Sequence, residues 1–246
     1  MAQNVYDDPT FFEAYSGLAR SVGGPQAAME WPHLQALLPV FEGKRVLDLG
    51  CGFGGLCRHA SHRGARWVVG VDSSRRMLLE AVERTVETNV SYQLGSMSAL
   101  GFAQGSFDVV LSTLALHYVA RLEPLCAMIA HFLAPGGDFV ASFEHPIFTA
   151  TAAQDWCTVG GQRLHWPVDN YQSEGPRETN FMGGDVLKYH RTAATYINSL
   201  IDAGFVIRRL VEPGPDEEML NENPAWAEAS RRPVFMLVAA TKARHE

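Results

Sequence analysis

Apolar and polar positions change their period along this chain. Within residues 9–39 apolar side chains recur at helical spacing: Phe11, Phe12, Tyr15 and Leu18 form one stripe, and beyond Pro25 a second holds Trp31, Leu34, Leu37 and Leu38. Two N-terminal helices are expected. From Arg45 short apolar runs alternate with amphipathic stretches. The runs 45–49, 67–71, 90–94, 107–112 and 138–143 predict strands. Between them, 73–86 predicts a helix opened by a Ser73/Ser74 cap, with Met77, Leu78, Ala81 and Val82 on one face. A second, 122–133, carries Leu122, Leu125, Ile129, Phe132 and Leu133. Repeated βα units imply a parallel, doubly wound α/β sheet with right-handed crossovers.

The rhythm stops after Phe143. Residues 144–190 are rich in Gly, Pro, Trp, His and Thr and keep no period, which predicts a long insertion that is functional or holds elements the period does not reveal. Helix 192–203 then restores order, with Gly204 as its stop, and strands 205–211 and 234–240 flank the polar stretch 212–233. With 246 residues, 47% of them hydrophobic, the chain can bury the core of one domain spanning 1–246. A net charge of −7 and scattered arginine pairs argue against a nucleic-acid partner. No run is long and apolar enough for a bilayer, and no signal peptide is apparent. The four cysteines lack metal spacing, so a cytoplasmic protein with free thiols and no metal site is expected.

The stretch RVLDLGCGFGG (45–55) carries the chemistry. Gly50, Gly52 and Gly55 satisfy G-x-G-x-x-G, the dinucleotide fingerprint, while Asp48, Gly50, Gly52 and Gly54 satisfy D-x-G-x-G-x-G. Either way, glycines let the chain turn sharply from strand to helix and let a ligand approach the backbone. Asp48 suits a cationic ligand and opposes pyrophosphate. Asp72, 22 residues after Gly50, is placed to accept hydrogen bonds from ribose hydroxyls, which marks an adenosine site without choosing the cofactor. The same Asp-Ser-Ser is also helix-capping chemistry.

Four segments in order, VLDLGCGFG, VVGVDSS, FDVVLSTLALHYV (107–119) and LAPGGDFVASF (133–143), resemble the class I S-adenosylmethionine (SAM) dependent methyltransferases. Within them the chain is most similar to the ubiquinone-biosynthesis-like, type 11 small-molecule branch. The resemblance implies a Rossmann-like, seven-stranded, mostly parallel sheet with an antiparallel last strand, a helical cap (1–43) and a substrate lid (144–190). It implies that Asp48, Gly50, Gly52 and Gly54 pack against the methionine and ribose portions of SAM, and that Asp72 and Ser73 take the ribose hydroxyls. Met77 would cover the adenine, with Gly95, Ser96 and Met97 at its edge; relatives often carry an acid where Ser96 stands. Ser112 would offer its carbonyl to the methionine amino group, and Tyr15 and Arg20 would reach the carboxylate.

Methyl transfer from a sulfonium needs in-line positioning and exclusion of water more than acid–base machinery. His145, just past the fifth strand, and His190 are the candidates for a base or acceptor contact, each set against a purely structural role. His117 reads as packing, and Arg177 as a surface pair with Glu174 or Glu178. The expected activity is methylation of a small molecule at oxygen, nitrogen or activated carbon. The alternatives are an NAD(P)-linked oxidoreductase, a SAM-binding protein that does not methylate, and a tRNA or protein methyltransferase.

Overall fold

A computed structural model describes residues 4–244. Strands β1 (Arg45–Leu49), β2 (Trp67–Asp72), β3 (Val90–Leu94), β4 (Phe107–Thr113) and β5 (Leu133–Glu144) are joined by helices α4 (Gly55–His62), α5 (Arg75–Glu83) and α6 (Leu122–Phe132), with β3 running on to β4 through a loop. They follow three short N-terminal helices, α1 (Pro9–Ser16), α2 (Ala19–Val22) and α3 (Trp31–Leu37). Two hairpins come next: β6 (Cys157–Val159) with β7 (Gln162–His165), and β8 (Gly175–Phe181) with β9 (Gly184–His190). The short helix α7 (Pro146–Thr149) precedes them. Helix α8 (Ala193–Asp202), β10 (Phe205–Val211), α9 (Glu217–Glu222) and β11 (Phe235–Lys242) complete the chain.

The seven-stranded sheet runs β10-β11-β5-β4-β1-β2-β3, with β11 antiparallel to both of its neighbours and the pairings from β5 to β3 parallel. This is the Rossmann-like methyltransferase arrangement. Strand β1 is central, with Leu47 opposite Val69 on one side and Val110 on the other. Its Val46, Leu47 and Leu49 are wholly buried, as a parallel strand covered on both faces requires. Alternation sends Leu47 and Leu49 toward α6 and α8, where Leu125, Ile129, Tyr196 and Leu200 pack. Val46 goes to the other face, among Trp31, Leu34, Leu56 and Ala60. At the opposite end from the glycine turn, Arg45 clamps Asp108 bidentately, Nε to Oδ2 at 3.0 Å and Nη2 to Oδ1 at 2.8 Å. That pair fixes the register of β1 against β4 away from the site.

Several boundaries differ from expectation. Two N-terminal helices become three short ones, because Gly17 and Gly23 end the first two and Gly24 turns the chain at φ +73. Helix α5 starts at Arg75, since the Ser74 side chain accepts the Met77 N–H and acts as its cap. The insertion is not irregular. Each hairpin turns on two residues of positive φ, Gly160–Gly161 (58° and 79°) and Met182–Gly183 (55° and 80°), the type I′ pattern. The polar stretch 212–233 holds α9 and a 3₁₀ turn.

Residues 4–16 form a strap over the carboxyl ends of the strands. Asn4 Nδ2 donates to the Ser73 carbonyl at 3.0 Å, and Asp7 Oδ1 accepts from Ser74 Oγ (2.7 Å) and the Arg76 N–H (3.0 Å). Tyr6 and Tyr118 join by their hydroxyls at 2.9 Å.

Candidate active site

Leaving β1, the chain turns through Gly50, Gly52 and Gly54 at φ +76, +51 and +72, a region closed to most side chains. The Gly50 and Cys51 N–H groups donate to the Val71 carbonyl at 2.8 and 3.0 Å, which ties the loop to β2. A Cβ on Gly50 would lie 2.5 Å from the Ala115 Cβ, whereas one on Gly52 would meet nothing within 4 Å. Gly50 is therefore needed for packing, and Gly52 keeps ligand space clear. Gly54 has a different task from the one expected: a Cβ there would strike the Tyr92 hydroxyl at 2.0 Å, and Gly54 does not line the cavity. It lets the first turn of α4 close on β3.

The cavity above this turn holds about 610 Å³. Asp48, Gly50, Gly52, Asp72, Ser73, Met77, Gly95, Ser96, Met97, Tyr15 and Arg20 all line it. Asp72 Oδ2 accepts the Gly52 N–H at 2.9 Å and Oδ1 the Ser74 N–H at 2.8 Å, so one carboxylate braces both loops. Burial raises its pKa, and those backbone donors oppose the shift. Asp48 is fully buried; burial pushes its pKa up to about 7, against a hydrogen bond from Cys57 Sγ at 3.4 Å and with a further push from the nearby Asp72 charge. Its Oδ1 has no partner. An unpaired buried carboxylate oxygen beside a cavity is costly, and a positive charge placed against it would offset that cost. Together with the open space at Gly52, it fits the amino-acid portion of SAM.

Ser112 lies outside the lining. Its Oγ donates to the Leu49 carbonyl at 3.0 Å and staples β4 to β1, while Thr113, Leu114 and Ala115 reach the cavity. Leu114 sits at φ +51, held by its N–H to the Ser142 carbonyl at 2.7 Å. Such backbone strain at the end of a strand is typical of a working site.

Neither candidate catalytic histidine lines the cavity. His145 caps α7: its Nδ1 accepts the Ile147 N–H at 3.0 Å, leaving the proton on Nε2, which faces Glu212 at 2.7 Å. Burial lowers its pKa, against the carboxylate. His190 is wholly buried, with Nε2 2.9 Å from the Tyr171 carbonyl and Nδ1 2.9 Å from Thr149 Oγ1. Both ring nitrogens of each are engaged in holding the fold. Arg177 likewise forms no surface ion pair with Glu174 or Glu178; it donates to the carbonyls of Ala150, Pro176 and Ser173.

Other residues complete the cavity. Tyr6 from the strap, Tyr118 after β4, and Val186, Leu187 and Tyr189 from β9 form its wall away from the glycine turn. Tyr6 stands edge-on to Tyr15 (5.2 Å between centroids, 89°) and to Tyr118 (6.0 Å, 86°). Burial raises the pKa of both Tyr6 and Tyr118, which keeps these hydroxyls protonated. Tyr6 had no sequence signal, because it precedes the first periodic stripe. Tyr118 stood inside a recognised segment, but nothing in its spacing separated it from core residues.

This glycine turn, paired acids and sheet order define a cofactor-binding methyltransferase. A family model described as a methyltransferase domain matches residues 46–137. An S-adenosylmethionine dependent methyltransferase from Mesorhizobium loti is 42% identical, over 89% of this chain and 100% of that one, with a TM-score of 0.84. An uncharacterized Haemophilus influenzae protein is 33% identical over 97% of both chains. A ubiquinone biosynthesis O-methyltransferase of Sinorhizobium medicae is 36% identical over 46% of each. The chain belongs to the class I SAM-dependent methyltransferases; it is an enzyme of that class, with SAM as its cofactor.

Proposed function

We propose that this enzyme methylates a small-molecule acceptor bound between the carboxyl end of β4, the strap and β9. The observation that carries this reading is one continuous cavity. It extends from Gly52 and Asp72 to Tyr6, Tyr118 and Tyr189, and its volume of about 610 Å³ lies within the range of small-molecule sites, roughly 300–1,000 Å³. Strap and hairpin act as the cap and lid of a single domain.

Bound SAM supplies an activated methyl group on a sulfonium, so the protein's work is to align and to exclude water. Asp72 and Ser73 hold the ribose, Met77 the adenine face, and Gly95, Ser96 and Met97 the adenine edge. Asp48, Gly50 and Gly52 take the methionine portion. Tyr15 and Arg20 serve its carboxylate; Arg20 is braced by Glu30 at 3.0 Å and has further N–H groups to give. Tyr6 and Tyr118, neutral and hydrogen-bonded to each other, orient the acceptor rather than deprotonate it. The strap and the β8–β9 hairpin close the chamber against water. Among the described residues no helix is long and apolar enough to cross a membrane.

The test is transfer of labelled methyl from SAM into a fractionated cell extract. Label should enter the small-molecule fraction, and mass spectrometry would identify the product. Label confined to protein or RNA would overturn the acceptor class while leaving the enzyme class intact.

A further inference from the structure

Strand β9 borders the cavity through Val186 as well as through its next alternate residues. Leu187 and Tyr189 line the cavity, while Lys188 and His190 do not and are 1% and 0% exposed. A lysine ammonium so deeply buried must be paired, and this one is held at two points. Lys188 Nζ donates to Glu144 Oε1 at 2.6 Å and to Gln154 Oε1 at 3.1 Å. Gln154 Nε2 in turn donates to Glu144 Oε2 at 3.2 Å, closing a triangle of side chains. Gln154 sits at φ +46, an unfavourable backbone for a residue with a Cβ. Glu144 is the last residue of β5, and its N–H donates to His117 Nδ1 at 3.3 Å. His117 adjoins Tyr118, whose hydroxyl meets Tyr6. Burial lowers the His117 pKa to about 4, which keeps Nδ1 free to accept. Burial works against the charge on Glu144, but His117, Lys188 and the hydrogen bonds from Lys188 and Gln154 outweigh it and hold its pKa below the usual carboxylate range.

We propose that Lys188 is a positioning residue for the acceptor. Its buried ion pair with Glu144 clamps β9 onto the end of β5 and thereby sets where Leu187 and Tyr189 stand in the cavity wall. The inference rests on the reading that the acceptor binds against β9. An apolar pair could fill the same space, but dispersion contacts have no fixed direction. The two directed hydrogen bonds from Lys188, to Glu144 and to Gln154, specify one height of β9 above the sheet. The clamp reaches His117, next to Tyr118, so the wall from β9 and the wall after β4 are set by the same group of side chains. Nothing in the clamp touches the cofactor end of the cavity, and the two functions should separate.

The double variant Glu144→Leu/Lys188→Met removes the pair without stranding a buried charge, so it is expected to fold. Hydrogen exchange of the S-adenosylhomocysteine (SAH) complex should then speed at least tenfold in residues 184–190 and stay unchanged in 45–49. The SAH dissociation constant should remain within twofold of wild type. With the unreacted small-molecule fraction that wild type methylates as acceptor, the amount giving half-maximal rate should rise at least tenfold, with the maximal rate falling less. Lys188→Arg, which can still donate to Glu144, should recover most of the loss. Unchanged exchange in 184–190, or SAH affinity lost in step with acceptor saturation, would overturn the clamp. If no small molecule is labelled by wild type, the acceptor reading fails, and the exchange experiment still decides whether Lys188 orders β9.

Discussion

Asp48 and Asp72 are both buried carboxylates at one cavity, yet their surroundings give them different work. Asp72 accepts one backbone N–H on each oxygen and keeps lone pairs to give, whereas one buried oxygen of Asp48 has no partner. Asp72→Ala should weaken SAH binding by about 1–3 kcal/mol, the scale of lost buried hydrogen bonds, measurable by calorimetry. An unchanged dissociation constant would leave Asp72 as a brace for the loops alone. For Asp48 the sign of the pH effect follows from its raised pKa. In the ligand-free protein this group favours the fold below its unfolded value of 3.8, and that contribution is lost as pH rises through about 7. A ligand carrying an ammonium group prefers the carboxylate, so SAH affinity should strengthen between pH 6 and 8. Asp48→Asn should flatten that slope. His145→Ala should leave the methylation rate within about twofold. The lost α7 cap, worth about 1 kcal/mol, should lower the melting temperature by roughly 2–4 °C.

At the scale of elements, the strap and β9 are the parts that must hold the chamber shut. The strap is pinned chiefly through Asp7, which accepts from Ser74 Oγ and the Arg76 N–H at the start of α5. Asp7→Ala should speed SAH release about tenfold, a barrier change of about 1.4 kcal/mol and within the range of one hydrogen bond to a charged group. Stopped-flow fluorescence can follow it, since Trp31 lines the cavity. A release rate equal to wild type would mean that the strap opens without breaking this link. Both hairpins of the insertion carry a legible cue that periodicity alone passes over. Gly160–Gly161 is a two-residue type I′ turn signal between short runs, and Met182–Gly183 is the same turn with its first position disguised by a side chain.

For the whole molecule, cofactor binding and stability are linked. At a hundred times its dissociation constant, SAH should add about 2.7 kcal/mol. For a chain of this size that is a rise of about 5–10 °C in melting temperature. NAD should give none, because Asp48 opposes a pyrophosphate at the turn. A stabilisation by NAD that matched SAH would contradict the cofactor assignment.

The seven strands and the glycine turn were legible before any coordinates, because local period and steric demand create them. A run such as RVLDL buries on both faces whatever its partners are, and the φ values at Gly50 and Gly52 admit few other residues. Asp72 was legible for the same reason, being fixed by its distance along a βα unit. What only the tertiary structure decided is which distant side chains share a space. Tyr6 meets Tyr118 across 112 residues, and Lys188 meets Glu144 across 44. It also decided that His145 and His190 spend their ring nitrogens on the fold. A polar side chain in a loop has the same local signature whether it faces a ligand or a backbone carbonyl; only packing in three dimensions settles which partner it finds.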